Sequence, residues 1–134
     1  LEPLASLKLR KISGARRLTK NSKLYKTILA AIKEKKGENI ITLDLRNITE
    51  AVSDFFVICE AGSQPQVRAI AENVIERVRE ETGEPVFHKE GFDHLQWVLL
   101  DYVNIVVHVM LPGTRKFYNL EEMWNDAQAD TNQD

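Results

Sequence analysis

Apolar positions along the chain fall into two patterns, one of helical period and one of extended runs. Leu24, Tyr25, Ile28, Leu29 and Ile32 repeat at helical spacing and predict a first helix. Asn21 or Ser22 can cap its start. Lys33, Lys35 and Lys36 suit its negative end, and Gly37 ends it. Ile40–Leu45, "IITLDL", is β-rich and short, which predicts a strand. Asp54–Cys59, "DFFVIC", predicts a second and central one, because its apolar run implies that both faces are covered. Ser63 and Gln66 are spaced as a capping box, and Pro65 fits a first helical turn. Val67, Ile70, Ala71, Val74, Ile75 and Val78 then form the buried stripe of a long helix that Gly83 stops. Pro85–Lys89 reads as a strand at a sheet edge. Leu95–Tyr102 and Asn104–Leu111 read as two further strands. Asn119 and Glu122 cap a short final helix carrying Met123 and Trp124. The order α-β-β-α-β-β-β-α predicts an α+β domain, one mixed sheet with helices packed on it.

The last two strands invite a hairpin with its turn at Val103–Asn104. Trp97 then faces Met110, Leu99 faces His108, and Asp101 faces Val106. Side chains alternate between faces along each strand. One face carries Val98, Leu100, Tyr102, Ile105, Val107, Val109 and Leu111, a plain core surface that packs under helices. The other carries Trp97, Leu99, Asp101, Val106, His108 and Met110. It is too apolar for solvent, yet it holds an acid and a histidine. Either a second layer of this chain covers it, or it meets a partner; an apolar patch rimmed by charge favours the partner. The inference depends on register, since a shift of one residue swaps the faces.

Composition adds the sign of that partner. Residues 1–26 carry eight basic residues against one acid, Glu2, a net of +7. The remaining 108 residues carry ten basic and nineteen acidic ones, a net of −9. An acidic body repels phosphate backbones and suits basic partners, so direct nucleic-acid binding by the core is not expected. Residues 1–20 read as a basic disordered arm, residues 21–127 as a single domain, and residues 128–134 as a polar, frayed tail. The arm is Arg-rich and acid-poor, which fits an organelle-targeting leader; the opening Leu-Glu equally fits a cloning remnant. With 134 residues and 43% hydrophobic positions the chain can bury a core, and no apolar run of membrane-spanning length is present in it. The single Cys59, inside an apolar run, reads as a small buried core residue.

Candidate chemistries are weak. His88, His94 and His108 show no ligand spacing, so no metal is expected. His108 is expected to bond a nearby acid such as Asp101. Gly62–Ser63 before a helix resembles a phosphate-binding turn. A nucleotidyltransferase would need paired carboxylates two residues apart on a following strand to hold magnesium, and no such pair follows Ser63. No cofactor and no catalytic residue is predicted. A nucleotide-handling enzyme built on Gly62–Ser63 stays as the alternative, as does a dimerisation or assembly module.

Several motifs together carry a family resemblance: "LDLR" at Leu43–Arg46, "SDFFVIC" at Ser53–Cys59, "GSQPQVRAIAENV" at Gly62–Val74, "WVLLDY" at Trp97–Tyr102, "VVHVM" at Val106–Met110 and "RKFYNLEEMW" at Arg115–Trp124. With these the chain resembles the ribosomal silencing factor, or iojap-related, family from about Leu24 to Ala127. The resemblance implies a nucleotidyltransferase-like fold without the catalytic carboxylates. It implies a cytoplasmic protein that binds ribosomal protein L-fourteen on the large subunit and blocks joining to the small one. It also implies frequent homodimers and, for organellar members, a link to large-subunit assembly. The expected contacts are Trp97 and Leu99 as apolar anchors, Asp101 as partner of a Lys or Arg, and Arg115 and Tyr118 behind them. The family pattern has Gly and then an acid or similar residue at the hairpin turn, where this chain has Val103–Asn104. Val resists positive φ and Asn tolerates it, so a different turn type or a shifted turn is open.

Overall fold

The computed structural model describes residues 18–20, 22–48, 53–125 and 127–131. Six strands form one mixed sheet: β1 (Glu38–Asp44), β2 (Phe55–Glu60), β3 (His88–Glu90), β4 (Trp97–Asp101), β5 (Ile105–Met110) and β6 (Gln128–Thr131). Their order across the sheet is β3-β4-β5-β2-β1-β6. β2 and β5 run parallel, joined through α2 (Gln64–Thr82), β3 and β4, while every other neighbouring pair is antiparallel. The α+β architecture expected from the element order is the one observed. β2 lies inside the sheet and β3 at its edge, also as expected.

The alternation of side chains along β2 explains its unbroken apolar run. Phe55, Val57 and Cys59 enter one core layer with α1 (Lys23–Glu34) and α2, and Phe56 and Ile58 enter a second layer on the opposite face. The helices start where the sequence places them. Ser22 Oγ accepts the Tyr25 N–H at 3.1 Å, and Ser63 Oγ accepts the Gln66 N–H at 3.3 Å. The returning arm of the expected capping box differs: Gln66 Oε1 accepts the N–H of Gly62, and its Nε2 donates to the carbonyls of Lys35 and Lys36. Gly83 closes α2 in the left-handed conformation at φ 78°. At the end of α1 it is Lys36, at φ 63°, that turns left-handed. Gly37 follows, packed so closely on Ile32 that a side chain has no room.

The hairpin has the predicted register, with Trp97 opposite Met110, Leu99 opposite His108 and Asp101 opposite Val106. Its turn is unusual. Val103 sits at φ 73°, and the Asn104 N–H donates to the Tyr102 carbonyl at 2.9 Å. That bond across one residue, with positive φ at its centre, is the signature of the strained γ-turn. Asp101 Oδ1 accepts the Val103 N–H at 2.8 Å and so holds the strained residue in place. Val103→Gly should therefore raise stability by about 1 kcal/mol, relief of backbone strain exceeding the added chain entropy. Equilibrium denaturation checks this; a loss of stability would show that the turn is not strained.

Three features went unread in the sequence. Pro112–Tyr118 forms a helix, α3, ahead of the expected short one, α4 (Leu120–Met123). The tail expected to fray forms β6, which pairs with β1, Leu43 opposite Ala129 and Thr42 opposite Asp130. At the other end, residues assigned to the arm are part of the body. Leu18 packs against the helical core layer, its N–H donates to Asp54 Oδ2 at 3.0 Å, and Lys20 pairs with Asp130. The rest of the arm, residues 1–17, lies outside the described residues.

Candidate functional site

The mixed face of the hairpin is not open. Trp97 is 4% exposed and Asp101 2%; Leu99, Val106, His108 and Met110 are fully buried. The chain's own C-terminal segment forms the second layer. Tyr118, Leu120, Trp124 and Ala127 pack with Ile48 over Leu43, Leu45, Phe56, Ile58, Trp97, Leu99, Val106 and Met110. This corrects the expectation that Trp97, Leu99 and Asp101 are exposed anchors. α3, unread in the sequence, and α4 supply the missing cover through Tyr118 and Leu120, with Trp124 and Ala127 after them. Tyr118 stays partly exposed, with its ring centroid 4.9 Å from that of Trp97.

The polar groups of the face answer one another inside the protein. The Trp97 indole N–H donates to His108 Nδ1 at 3.0 Å, so the ring proton of His108 belongs on Nε2. The expected partnership of His108 with Asp101 is replaced by this one. His108 Nε2 finds no partner among the described residues. Burial alone pushes the His108 pKa down to about 3, so the imidazole is neutral at physiological pH. A neutral, enclosed ring beside an indole is a packing element rather than a proton carrier.

Arg115 is likewise an internal residue, 8% exposed. Its guanidinium donates to Glu60 Oε1 at 3.1 Å, to Glu121 Oε2 at 3.0 and 3.2 Å, and to the Asn39 carbonyl at 2.7 Å. Asn39 is at φ 51°, where the β1–β2 register slips between Glu38 and Ile41. The irregularity lets β1 present that carbonyl to α3. Arg115 thus pins the cover to the ends of β1 and β2 and is not free to reach a partner. Arg115→Met leaves two carboxylates facing each other without their cation, and should destabilise by about 3 kcal/mol. Urea unfolding reads this; a change below about 1 kcal/mol would mark the cluster as a surface network.

The exposed apolar groups sit outside this layer. Phe117 is 78% exposed and Met123 54%, both on the outward side of the cover, next to partly exposed Tyr118 and Trp124. The rings of Phe117 and Tyr118 meet edge to face at 4.9 Å. Sequence reading missed Phe117, although its signal was there: two successive aromatic residues in "KFY" cannot both point inward from one short helix. Phe87, 69% exposed beside the edge strand β3, lies outside this group.

The enzymatic alternative finds little here. The Gly62 N–H, which would face a phosphate, is taken by Gln66. Asp44 and Asp54 lie at the opposite end of β2 from Gly62. Asp44 is bound by Arg46 at 2.7 and 2.9 Å, and that contact holds its carboxyl below the usual range. Asp54 accepts from the Leu18 N–H and from Asn104 Nδ2. Among the described residues no group of three His, Cys, Asp or Glu side chains could hold a metal ion, and no helix is long and apolar enough to cross a membrane.

A mixed sheet carrying long helices on one face and a short helical cover on the other, with its unusual polar residues locked inside and aromatic residues on the outside of the cover, defines a small α+β domain. The sequence model described as "Ribosomal silencing factor during starvation" matches residues 19–134, and the chain belongs to that family. It is 41% identical over 104 residues to the ribosomal silencing factor of Bacillus subtilis, covering 78% of this chain and 86% of that one. It is 37% identical over 107 residues to the one from Halalkalibacterium halodurans, covering 80% and 90%. Among solved structures, a Chromobacterium violaceum protein superposes with a TM-score of 0.72 at 31% identity, covering 83% of this chain and 91% of that one.

Proposed function

We propose that the protein is a non-enzymatic silencer of translation that acts in the cytoplasm, binding ribosomal protein L-fourteen on the large subunit and blocking access of the small one. The family match over residues 19–134 carries this reading, because it includes the entire covered hairpin and its cover. The acidic balance of residues 27–134 suits a basic partner. Large exposed aromatic groups are the usual anchors of such contacts.

The contact surface is the outside of the cover: Phe117, Tyr118 and Met123. Trp97, Leu99, Asp101 and Arg115 act from beneath by fixing where that surface stands. Co-sedimentation with purified large subunits tests the assignment. Phe117→Glu, at a largely exposed position, should leave the melting temperature unchanged. It should weaken binding about thirtyfold, the equivalent of about 2 kcal/mol. Undiminished binding would remove Phe117 from the contact. Self-association through the same residues would compete with L-fourteen; mass measurement across concentration, with and without L-fourteen, reads that competition, and dimers that persist in the complex would end it.

A further inference from the structure

We propose that the outward face of α1 is a contact surface for an RNA backbone, on the side of the sheet opposite the cover. The net charge of the body speaks against nucleic acid, but it hides where the charges stand. Residues 37–134 carry seven basic and eighteen acidic residues, a net of −11. Residues 22–36 carry five lysines, Lys23, Lys26, Lys33, Lys35 and Lys36, against one acid, Glu34. Lys23, Lys26, Lys35 and Lys36 are exposed, and Lys33 is half-buried. The intervals of three and seven residues between Lys23, Lys26 and Lys33 put them on one helix face over about 15 Å.

Two observations set these lysines apart from the other cations. Four of the five arginines between residues 37 and 134 sit in ion pairs: Arg46 with Asp44, Arg68 with Glu72, Arg77 with Glu34, and Arg115 with Glu60 and Glu121. Among the described residues no acid pairs with Lys23, Lys26, Lys35 or Lys36. Glu34, the one acid of the helix, is taken by α2, with Asn73 Nδ2 at 2.9 Å and Arg77 Nη1 at 2.8 Å. The second observation is position. The helix dipole accounts for the lysines at the C-terminal end of α1, but Lys23 and Lys26 stand in its first turn. Cations are disfavoured there, and no acid in that turn offsets them.

The chemistry of the face is that of a phosphate contact. Lysine ammonium groups act as point charges on phosphate oxygens. Between them the face carries Thr27 and Ala30, with no arginine or aromatic ring to anchor a folded protein. A membrane surface would need an apolar face beside the basic one, and Leu24, Ile28 and Ile32 of α1 are buried in the core. The cover lies on the other side of the sheet, so the domain has one face for protein and one for RNA. That the RNA is ribosomal rests on the proposed function; that the face binds RNA does not.

The test uses the full chain and protein-free large-subunit RNA over a series of salt concentrations. A variant with Lys23→Glu, Lys26→Glu, Lys35→Glu and Lys36→Glu should bind ~100-fold more weakly at low salt. Its slope of log affinity against log salt should be smaller by about 3, as for four lost phosphate contacts. Arginine at the same four positions should preserve both. Residues 1–20 are unchanged in either variant, so their own basic charges cancel in the comparison. An unchanged slope in the glutamate variant would overturn the proposal. So would an equal loss in the arginine variant, or phosphatidylserine vesicles bound as tightly as RNA. Footprinting of the unaltered protein decides the matter if the glutamate variant fails to fold. RNA should shield the four lysines from an amine-acylating reagent and leave exposed Lys89 and Lys116 reactive; uniform shielding, or none, would equally overturn it. Phe117→Glu should bind bare RNA as the parent does, so failure of this proposal and failure of the partner assignment are read separately.

Discussion

Trp97→Ala should lower the unfolding free energy by about 4 kcal/mol, the range for removing a large buried aromatic side chain. Trp97 is 4% exposed, lies with its ring tilted against that of Tyr118 and belongs to the second core layer. Its loss opens a cavity and also leaves His108 Nδ1 without its donor. Trp97→Phe keeps most of the packing and loses the N–H, so it should cost less, about 1–2 kcal/mol. Equilibrium denaturation in urea measures both. This result separates two roles. A residue that served as an exposed anchor would cost binding and leave stability alone; Trp97→Ala with a stability change below about 1 kcal/mol would contradict the buried role. Binding measured on Trp97→Ala should fall as well, because the cover loses its seat, and that loss should recover in part with Trp97→Phe.

The second large effect is a loss of stability in mild acid that traces to His108. Its folded pKa is pushed down to about 3 by burial, against an ordinary value of 6.5. The unfolded chain therefore takes up a proton near the ordinary value, while the folded chain takes it up only near the depressed one. Stability from this group is complete above about pH 6.5 and falls by about 1.4 kcal/mol per pH unit below that, levelling off near the folded value. By pH 4.5 the loss should be about 2–3 kcal/mol. His108→Leu removes the proton site. It should be less stable than the parent at pH 7, because Trp97 loses its acceptor, yet its stability should fall less steeply between pH 6.5 and 4.5. Asp44, held below the usual carboxylate range by Arg46, contributes in the same direction at lower pH in both proteins, so the difference between them isolates His108. Parallel pH profiles would show that the imidazole is solvated.

The helical layer was readable because each of its signals is local. Apolar spacing gave the stripes of α1 and α2, Ser22 and Ser63 marked their starts, and the alternation along β4 and β5 gave the correct register. The turn itself was not readable, since nothing local announces that Val103 is forced to φ 73° by the strands and by Asp101. The second layer was missed for a related reason. The seat of α3 and α4 over the Trp97 face is a contact that only the whole fold sets, and so is the pairing of β6, polar and short, with β1. With α3 unread and the seat of α4 unknown, the Trp97 face looks bare and its histidine looks available. Sequence thus found which residues are unusual and misjudged which side of the cover they occupy. Arg115 shows the same limit. It was expected as a partner contact behind Trp97, while its partners Glu60, Glu121 and Asn39 are separated from one another along the chain and meet only in the fold.

Whether this molecule silences ribosomes is most directly read in a subunit-joining assay. Purified large subunits are incubated with saturating protein before small subunits are added, and assembled ribosomes are separated from free subunits. Joining should fall in proportion to the bound protein, Phe117→Glu should restore it, and an Arg115→Lys variant of intact fold should still block it. Full joining with large subunits occupied by the protein would contradict the steric mechanism at its centre.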